Sequence, residues 1–200
     1  MTSCSIILVA GPSGSGKSRL SGQTNVPQVR LDDFYFDHDH PGLPTTELPG
    51  GVTVIDWDDR RTWNTEAAVE ALVAIATTGR ATIPRYDISL SEAVGSYEFE
   101  LGDAPAVICE GIFAMELVRP CRDAGLDVTA IWLDRPRSFN FTRRLQRDLR
   151  QRRKSPSVLV RRGVALFHQE PQLRRRALEH GFTPLGMRAA ARRIRQIVER

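Results

Sequence analysis

The 200-residue chain contains no run approaching the ~18–20 consecutive apolar residues of a bilayer-spanning helix. No membrane role built on such a helix is expected. The N-terminus has no basic segment followed by an apolar stretch and a small-residue cleavage site, so no secretory leader is expected. Cysteine is scarce. The three, Cys4, Cys109 and Cys121, are odd in number and lack metal-type spacing. Cys4 and Cys109 lie beside or within apolar runs, where a thiol behaves as a small hydrophobe. A reducing cytoplasm is the expected setting. His38 and His40 stand two apart with no cysteine or further histidine nearby, so no metal centre is expected there. Internal repeats, low-complexity tracts and coiled-coil heptads are absent as well. What remains is a chain that is 41% hydrophobic, enough for a single domain over residues 1–200 with a real core.

The net charge of +4 is modest, but basic residues crowd between Arg135 and Arg176. A solvated helix face, anion clamps on a triphosphate and a nucleic-acid surface all account for such a cluster. Aromatic residues are not interleaved with these arginines as they are in stacking platforms, so nucleic acid is the less favoured partner.

The most informative stretch is Gly11-Pro12-Ser13-Gly14-Ser15-Gly16-Lys17-Ser18. It follows the apolar run Ile6–Ala10 and leads into a helical segment, the context that identifies a phosphate-binding P-loop. Glycines 11, 14 and 16 let the backbone curl so that N–H groups point inward at an anion, and the following helix adds its positive end. Lys17 is placed to reach the β- and γ-phosphates, and the Ser18 hydroxyl to ligate Mg²⁺.

Two further strands end in acids. Val26–Leu31 leads to Asp32-Asp33, and Ala106–Cys109 leads to Glu110-Gly111. In an open α/β sheet the C-terminal strand ends form the ligand edge, which makes these carboxylates site candidates. Asp127–Leu133 reads as another core strand. Helices are expected over about 64–79, 113–124 with an interruption at Pro120, 136–150, 157–180 and 186–198. On the helix from Pro136, Phe139, Leu145 and Leu149 form the apolar side, with Arg143, Arg144, Arg147 and Arg150 over the rest. Residues 37–63 show no hydrophobic period and read as a long loop, and 81–87 with 97–101 as a small flap. The fold class is α/β: a P-loop three-layer sandwich with a mainly parallel sheet, a flap and an arginine-rich helical lid. No NKxD-type guanine-reading element is present. The carboxylates and aromatics favour a small-molecule kinase over a switch.

In order and spacing, Gly11–Ser18, Leu31-Asp32-Asp33-Phe34-Tyr35, Trp57-Asp58, Pro84-Arg85-Tyr86-Asp87, Cys109-Glu110-Gly111-Ile112 and Arg143-Arg144-Leu145-Gln146-Arg147-Asp148 resemble the uridine kinase family. The likeness covers about residues 4–154. It implies an enzyme that moves phosphate from ATP or GTP to the 5′-hydroxyl of a uridine- or cytidine-like nucleoside. Pantothenate kinase and phosphoribulokinase are relatives, so another small alcohol or a sugar is the alternative acceptor. Carried over residue by residue, the resemblance makes Asp32 the catalytic base, and Lys17 and Arg147 its partners in catalysis. Gly11, Ser13, Gly14, Ser15, Gly16, Lys17, Ser18 and Arg143 would hold the nucleotide, while Ser18 and Glu110 would face Mg²⁺. Tyr35, Trp57, Asp58, Tyr86 and Arg152 would bind the acceptor. The acceptor-binding part would span about 33–101 and the lid about 143–160. The chain departs from the pattern in two places. Ile88–Glu92 lacks the family's usual base-reading histidine, and Asp56-Trp57-Asp58-Asp59-Arg60 replaces Asn-Phe-Asp-His-Pro. A nucleotide-regulated nucleic-acid-binding protein is the rival reading, and self-association is left open.

Overall fold

Fully apolar strands alternating with helices sort this chain into layers. The computed structural model describes residues 4–48, 51–150 and 156–199. Its elements in chain order are β1 (Ser5–Ala10), α1 (Lys17–Thr24), β2 (Gln28–Arg30), β3 (Thr45–Leu48), β4 (Val52–Ile55), α2 (Thr65–Thr78), β5 (Arg80–Asp87), β6 (Glu92–Glu100), β7 (Ala106–Glu110), α3 (Val118–Asp123), β8 (Val128–Leu133), α4 (Arg137–Arg150), α5 (Pro156–Glu179), β9 (Thr183–Leu185) and α6 (Met187–Val198).

The central sheet has the order β2-β7-β1-β8-β9. Every pairing in it is parallel, with Ile7 opposite Ile108 on one side and Thr129 on the other. A parallel sheet covered on both faces needs strands that are apolar throughout, and Ile6 to Ala10 are all buried. Side chains alternate between the faces. Ile6, Leu8 and Ala10 join Ala68, Leu72 and Ile75 of α2 and Cys121 of α3. Ile7 and Val9 join Leu20 of α1 and Ala190, Ala191, Ile194 and Ile197 of α6. This is the expected three-layer sandwich. The cysteines are buried and unpaired, and burial pushes the Cys4 and Cys121 thiols up to about 11. Among the described residues no helix is long and apolar enough to cross a membrane.

The flap forms as an antiparallel β5–β6 hairpin, longer than its apolar residues suggest. Its ladder shifts register between Pro84 and Tyr86, beside a proline that has no N–H to give. The stretch 37–63 is not a featureless loop, because β3 and β4 pair antiparallel within it, from Thr45 opposite Ile55 to Leu48 opposite Val52. Val52 is 57% exposed, so no buried face imposes an alternating pattern that sequence could display. The segment from Ile112 begins as a 3₁₀ helix to Leu117, and α3 follows. Pro120 sits in the first turn of α3, where its missing N–H costs nothing, so the proline does not interrupt a longer helix. Three-residue β9 is too short to announce itself by periodicity.

The orientation of α4 reverses expectation. Phe139 and Leu149 are 36% and 44% exposed, whereas Asn140 and Arg144 on another face are buried. The buried polar pair faces the P-loop and α5. Pro171 lies inside α5 and cannot donate to the Phe167 carbonyl. Arg137 on α4 donates to that carbonyl instead, at 3.5 Å, and its guanidinium lies 4.5 Å from the Phe167 ring centre.

Candidate active site

The P-loop bridges the end of β1 and the start of α1, at the C-terminal edge of the sheet. Lys17 Nζ donates to the Gly11 carbonyl at 2.9 Å and lies 3.5 Å from that of Pro12. Gly14 has φ +89°, in the left-handed region that favours glycine, and a Cβ there would lie 2.6 Å from the Asn140 carbonyl oxygen. Helix α4 therefore rests directly on the loop.

β2 and β7 end beside each other, with Arg30 paired to Glu110 in register. Their continuations touch. A Cβ on Gly111 would stand 2.7 Å from Leu31 Cβ and 3.2 Å from Asp32 Oδ1. The absent side chain is what lets Asp32 come close to Glu110 and Lys17. Burial pushes the Asp32 carboxyl above the usual range; Lys17 and Arg30 oppose that shift, and Glu110 and Asp33 add to it. Ser18 Oγ donates to Glu110 Oε1 at 2.7 Å, and Gln28 Nε2 donates to the same oxygen at 3.1 Å. A hydroxyl and a carboxylate side by side at the loop form a hard-oxygen donor set that fits Mg²⁺.

The neighbouring Asp33 faces elsewhere. It is buried, accepts the Tyr86 backbone N–H at 3.4 Å and lies 3.9 Å from Arg30. Asp33 thus ties the flap to the sheet. Tyr35, Trp57 and Tyr86 are brought together: Tyr35 lies 5.7 Å from Trp57 and 5.6 Å from Tyr86, centre to centre. Phe113, absent from the sequence-based set, completes the cluster 5.7 Å from Tyr35. Tyr35 donates to the Trp57 carbonyl at 3.2 Å, and Tyr86 to that of Phe36 at 3.2 Å. Burial first, then the charges of Asp32 and Asp58, push the Tyr35 phenol far up, so it stays a neutral donor. Burial likewise lifts Tyr86 to about 12. Asp58 itself is exposed. Trp63 packs in the core and donates from its indole to the Leu31 carbonyl at 2.7 Å, one residue before Asp32. Beside this cluster opens a cavity of about 410 Å³ lined by Tyr35, Phe36, Asp37, Asp39, His40 and Pro41.

The arginines of α4 divide. Arg147 is exposed and donates to Ser13 Oγ at 3.2 Å. Arg143 is half-buried, its guanidinium 5.7 Å from the Phe139 ring centre. Arg144 is 4% exposed and donates to the Ser13 carbonyl from Nε at 3.2 Å and Nη2 at 2.8 Å, while pairing with Glu170 at 3.3 Å. The helical pattern groups Arg144 with Arg143, Arg147 and Arg150 away from the apolar side, yet burial takes Arg144 out of reach. Arg152 and residues 151–155 of the expected lid lie outside the described residues.

A parallel three-layer sandwich that feeds Gly-x-x-x-x-Gly-Lys-Ser from its central strand into a helix, with acids at two neighbouring strand ends, has the fold of a P-loop kinase. A solved structure of a putative fructose transport system kinase from Silicibacter sp. TM1040 overlays with a TM-score of 0.60 at 20% identity, covering 87% of this chain and 86% of that one. The model of the phosphoribulokinase / uridine kinase family matches residues 46–162, more than half of the chain, and the chain belongs to that family. A uridine kinase from Mannheimia succiniciproducens is 26% identical over 171 residues, 80% of this chain and 74% of that protein. A uridine kinase from Staphylococcus carnosus is also 26% identical, over 168 residues. The inorganic pyrophosphatase TTM1 of Arabidopsis thaliana is 24% identical over 163 residues. The match spans only 22% of that plant protein's length.

Proposed function

We propose that this chain is a small-molecule kinase that transfers the γ-phosphoryl group of ATP or GTP to an alcohol, the 5′-hydroxyl of a uridine- or cytidine-like nucleoside being the leading acceptor. The observation that carries this reading is the meeting of Asp32, Lys17 and Glu110 at the mouth of the P-loop, next to the Tyr35–Trp57–Tyr86 cluster.

In this reading the N–H groups of residues 11–16 cradle the phosphates, and Lys17 leaves the Gly11 carbonyl to meet the transferred group. Ser18 and Glu110 hold Mg²⁺, which when bound neutralises charge on the triphosphate. Asp32 accepts the proton of the attacking hydroxyl. Its raised pKa brings it nearer the working pH, where general bases act best. Asp58 orients acceptor hydroxyls, while Tyr35, Trp57 and Tyr86 wall the pocket. Arg147 leaves the Ser13 hydroxyl to spread transition-state charge, with Arg143 and Arg152 as further phosphate or acceptor contacts. The chain works as one domain, with acceptor-binding parts over about 33–101 and a lid over about 143–160.

A second acceptor class, another small alcohol or a sugar, is favoured by one feature. The flap turn Ile88–Ser91 exposes Ile88 and Leu90 and offers no histidine to a pyrimidine edge. A flap that supplies no such reader discriminates less against analogues. Mg²⁺-dependent ADP formation should be stimulated by one member of a panel of nucleosides, sugars and pantothenate-like alcohols, with the product mass raised by one phosphoryl group. Basal hydrolysis alone across the whole panel would defeat the kinase reading.

A further inference from the structure

We propose that Arg144 is a positioning residue that sets the shape of the phosphate loop, and that Glu170 and Asn140 hold it to that task. The proposal rests on the loop's role as a phosphate cradle.

A loop that aims its N–H groups at an anion must turn carbonyls outward. In a planar trans peptide the C=O of one residue and the N–H of the next point in opposite directions. The outward carbonyl of Ser13 and the N–H of Gly14 belong to one such plane. Arg144 grips that carbonyl with two donors of a single rigid fork, at 3.2 and 2.8 Å. Fixing the oxygen on the α4 side fixes the Gly14 N–H on the other. The backbone of α4 supports the same peptide, since only a residue without Cβ fits at position 14 against the Asn140 carbonyl.

The fork is itself held. Glu170 Oε1 lies 3.3 Å from Arg144 Nη2, and Glu170 Oε2 accepts the Asn140 amide at 3.2 Å. Glu170 is 5% exposed and Asn140 fully buried, so water competes little for these bonds. Arg137 ties α5 to α4 one turn away, through the Phe167 carbonyl that Pro171 leaves without a helical donor.

The two arginines that touch Ser13 therefore differ in kind. Arg147 is exposed and reaches the side-chain hydroxyl of Ser13, not its backbone. Arg144, buried and bound to a backbone oxygen and a carboxylate, stays and shapes the loop. Its place in the Arg-Arg-x-x-Arg stretch gives no hint of that division.

Arg144→Lys keeps the charge beside Glu170 but loses the two-pronged grip. The full-length variant should bind Mg·ADP about tenfold to a hundredfold more weakly by calorimetry, the loss of one charge-assisted contact. Its KM for the nucleotide should rise in step, while the acceptor KM stays within about twofold, as for a site that does not share its partners. A purely structural role would lower the melting temperature and leave the nucleotide Kd of the folded protein unmoved; that result overturns the proposal. If Arg144→Lys does not fold, Glu170→Gln serves instead. A smaller weakening in the same direction supports the proposal, and unchanged affinity refutes it. Failure of the unaltered protein to bind Mg·ADP would instead remove the phosphate-cradle reading beneath both.

Discussion

Replacing Gly111 with alanine pushes apart two strand ends whose closeness the proposed chemistry requires. Gly111 has φ 172°, extended backbone open to any residue, so the substitution carries no conformational strain. The effect is steric. The new Cβ would meet Leu31 Cβ at 2.7 Å and Asp32 Oδ1 at 3.2 Å. Carbon atoms rest at about 3.5–4.0 Å, so the Leu31–Asp32 segment must retreat by about 1 Å. Overpacking of this size costs about 1–3 kcal/mol. At about 2–4 °C per kcal/mol for a domain of this length, the melting temperature should fall by roughly 2–12 °C. A 1 Å displacement of a reacting group can cost about a hundredfold in turnover. The three atoms nearest the new methyl group all belong to Leu31 and Asp32, so affinity for Mg·ADP should stay within about twofold. Calorimetric titration, thermal unfolding and steady-state ADP release with the preferred acceptor would separate these effects. Full turnover in a destabilised Gly111→Ala protein would refute the claim that Asp32 must sit against the end of β7. Loss of nucleotide affinity at unchanged melting temperature would show that the site is assembled differently.

Other expectations follow from single contacts. The Asp32 carboxyl is raised above its unfolded value, so the folded chain binds the extra proton. Its destabilising contribution is absent below the unfolded pKa and grows as pH rises from there through the folded pKa. Asp32→Asn should therefore raise the melting temperature near neutral pH relative to the parent, with the gap closing in acid, while transfer drops about 10²–10⁴-fold; a gap that widens on acidification contradicts the sign. Trp63→Phe removes the indole bond to the Leu31 carbonyl, which keeps its place in the 3₁₀ turn Leu31–Phe34, and should cost about 0.5–1.5 kcal/mol in urea unfolding. Gly22 lies within α1 with nothing within 4 Å of an added Cβ, so Gly22→Ala should stabilise by about 0.5–1 kcal/mol on the same assay.

The parts of this molecule legible in sequence are those whose cause is local. Residues 11–18 carry their conformation in their glycines. The apolar runs ending at Asp32 and Glu110 mark buried strands whose ends must gather at one edge of the sheet. The orientation of α4 was not legible, because its apolar pattern argues one way and its contacts the other. Arg144 is buried by a carboxylate 26 positions later and a carbonyl 131 positions earlier. No window along the chain contains both. Trp63 presents a similar case: the stretch leading to it, Asp56 to Thr62, is polar and mostly charged, yet its indole binds a carbonyl 32 residues away. The β3–β4 hairpin leaves no mark in the sequence because its faces stay largely wet, removing the alternation that betrays a half-buried strand.

The central sheet ends on both sides in strands of three residues, β2 and β9. At about 3.3 Å per residue, each margin offers an incoming chain a template only about 10 Å long. Longer unpaired margins belong to the flap, where β6 runs for nine residues and carries Glu92, Glu98 and Glu100. A second molecule aligning there antiparallel brings its own glutamates against them, and like charges across a ladder repel. Brevity at the central sheet and acidity along β6 thus disfavour edge-to-edge pairing at these two margins.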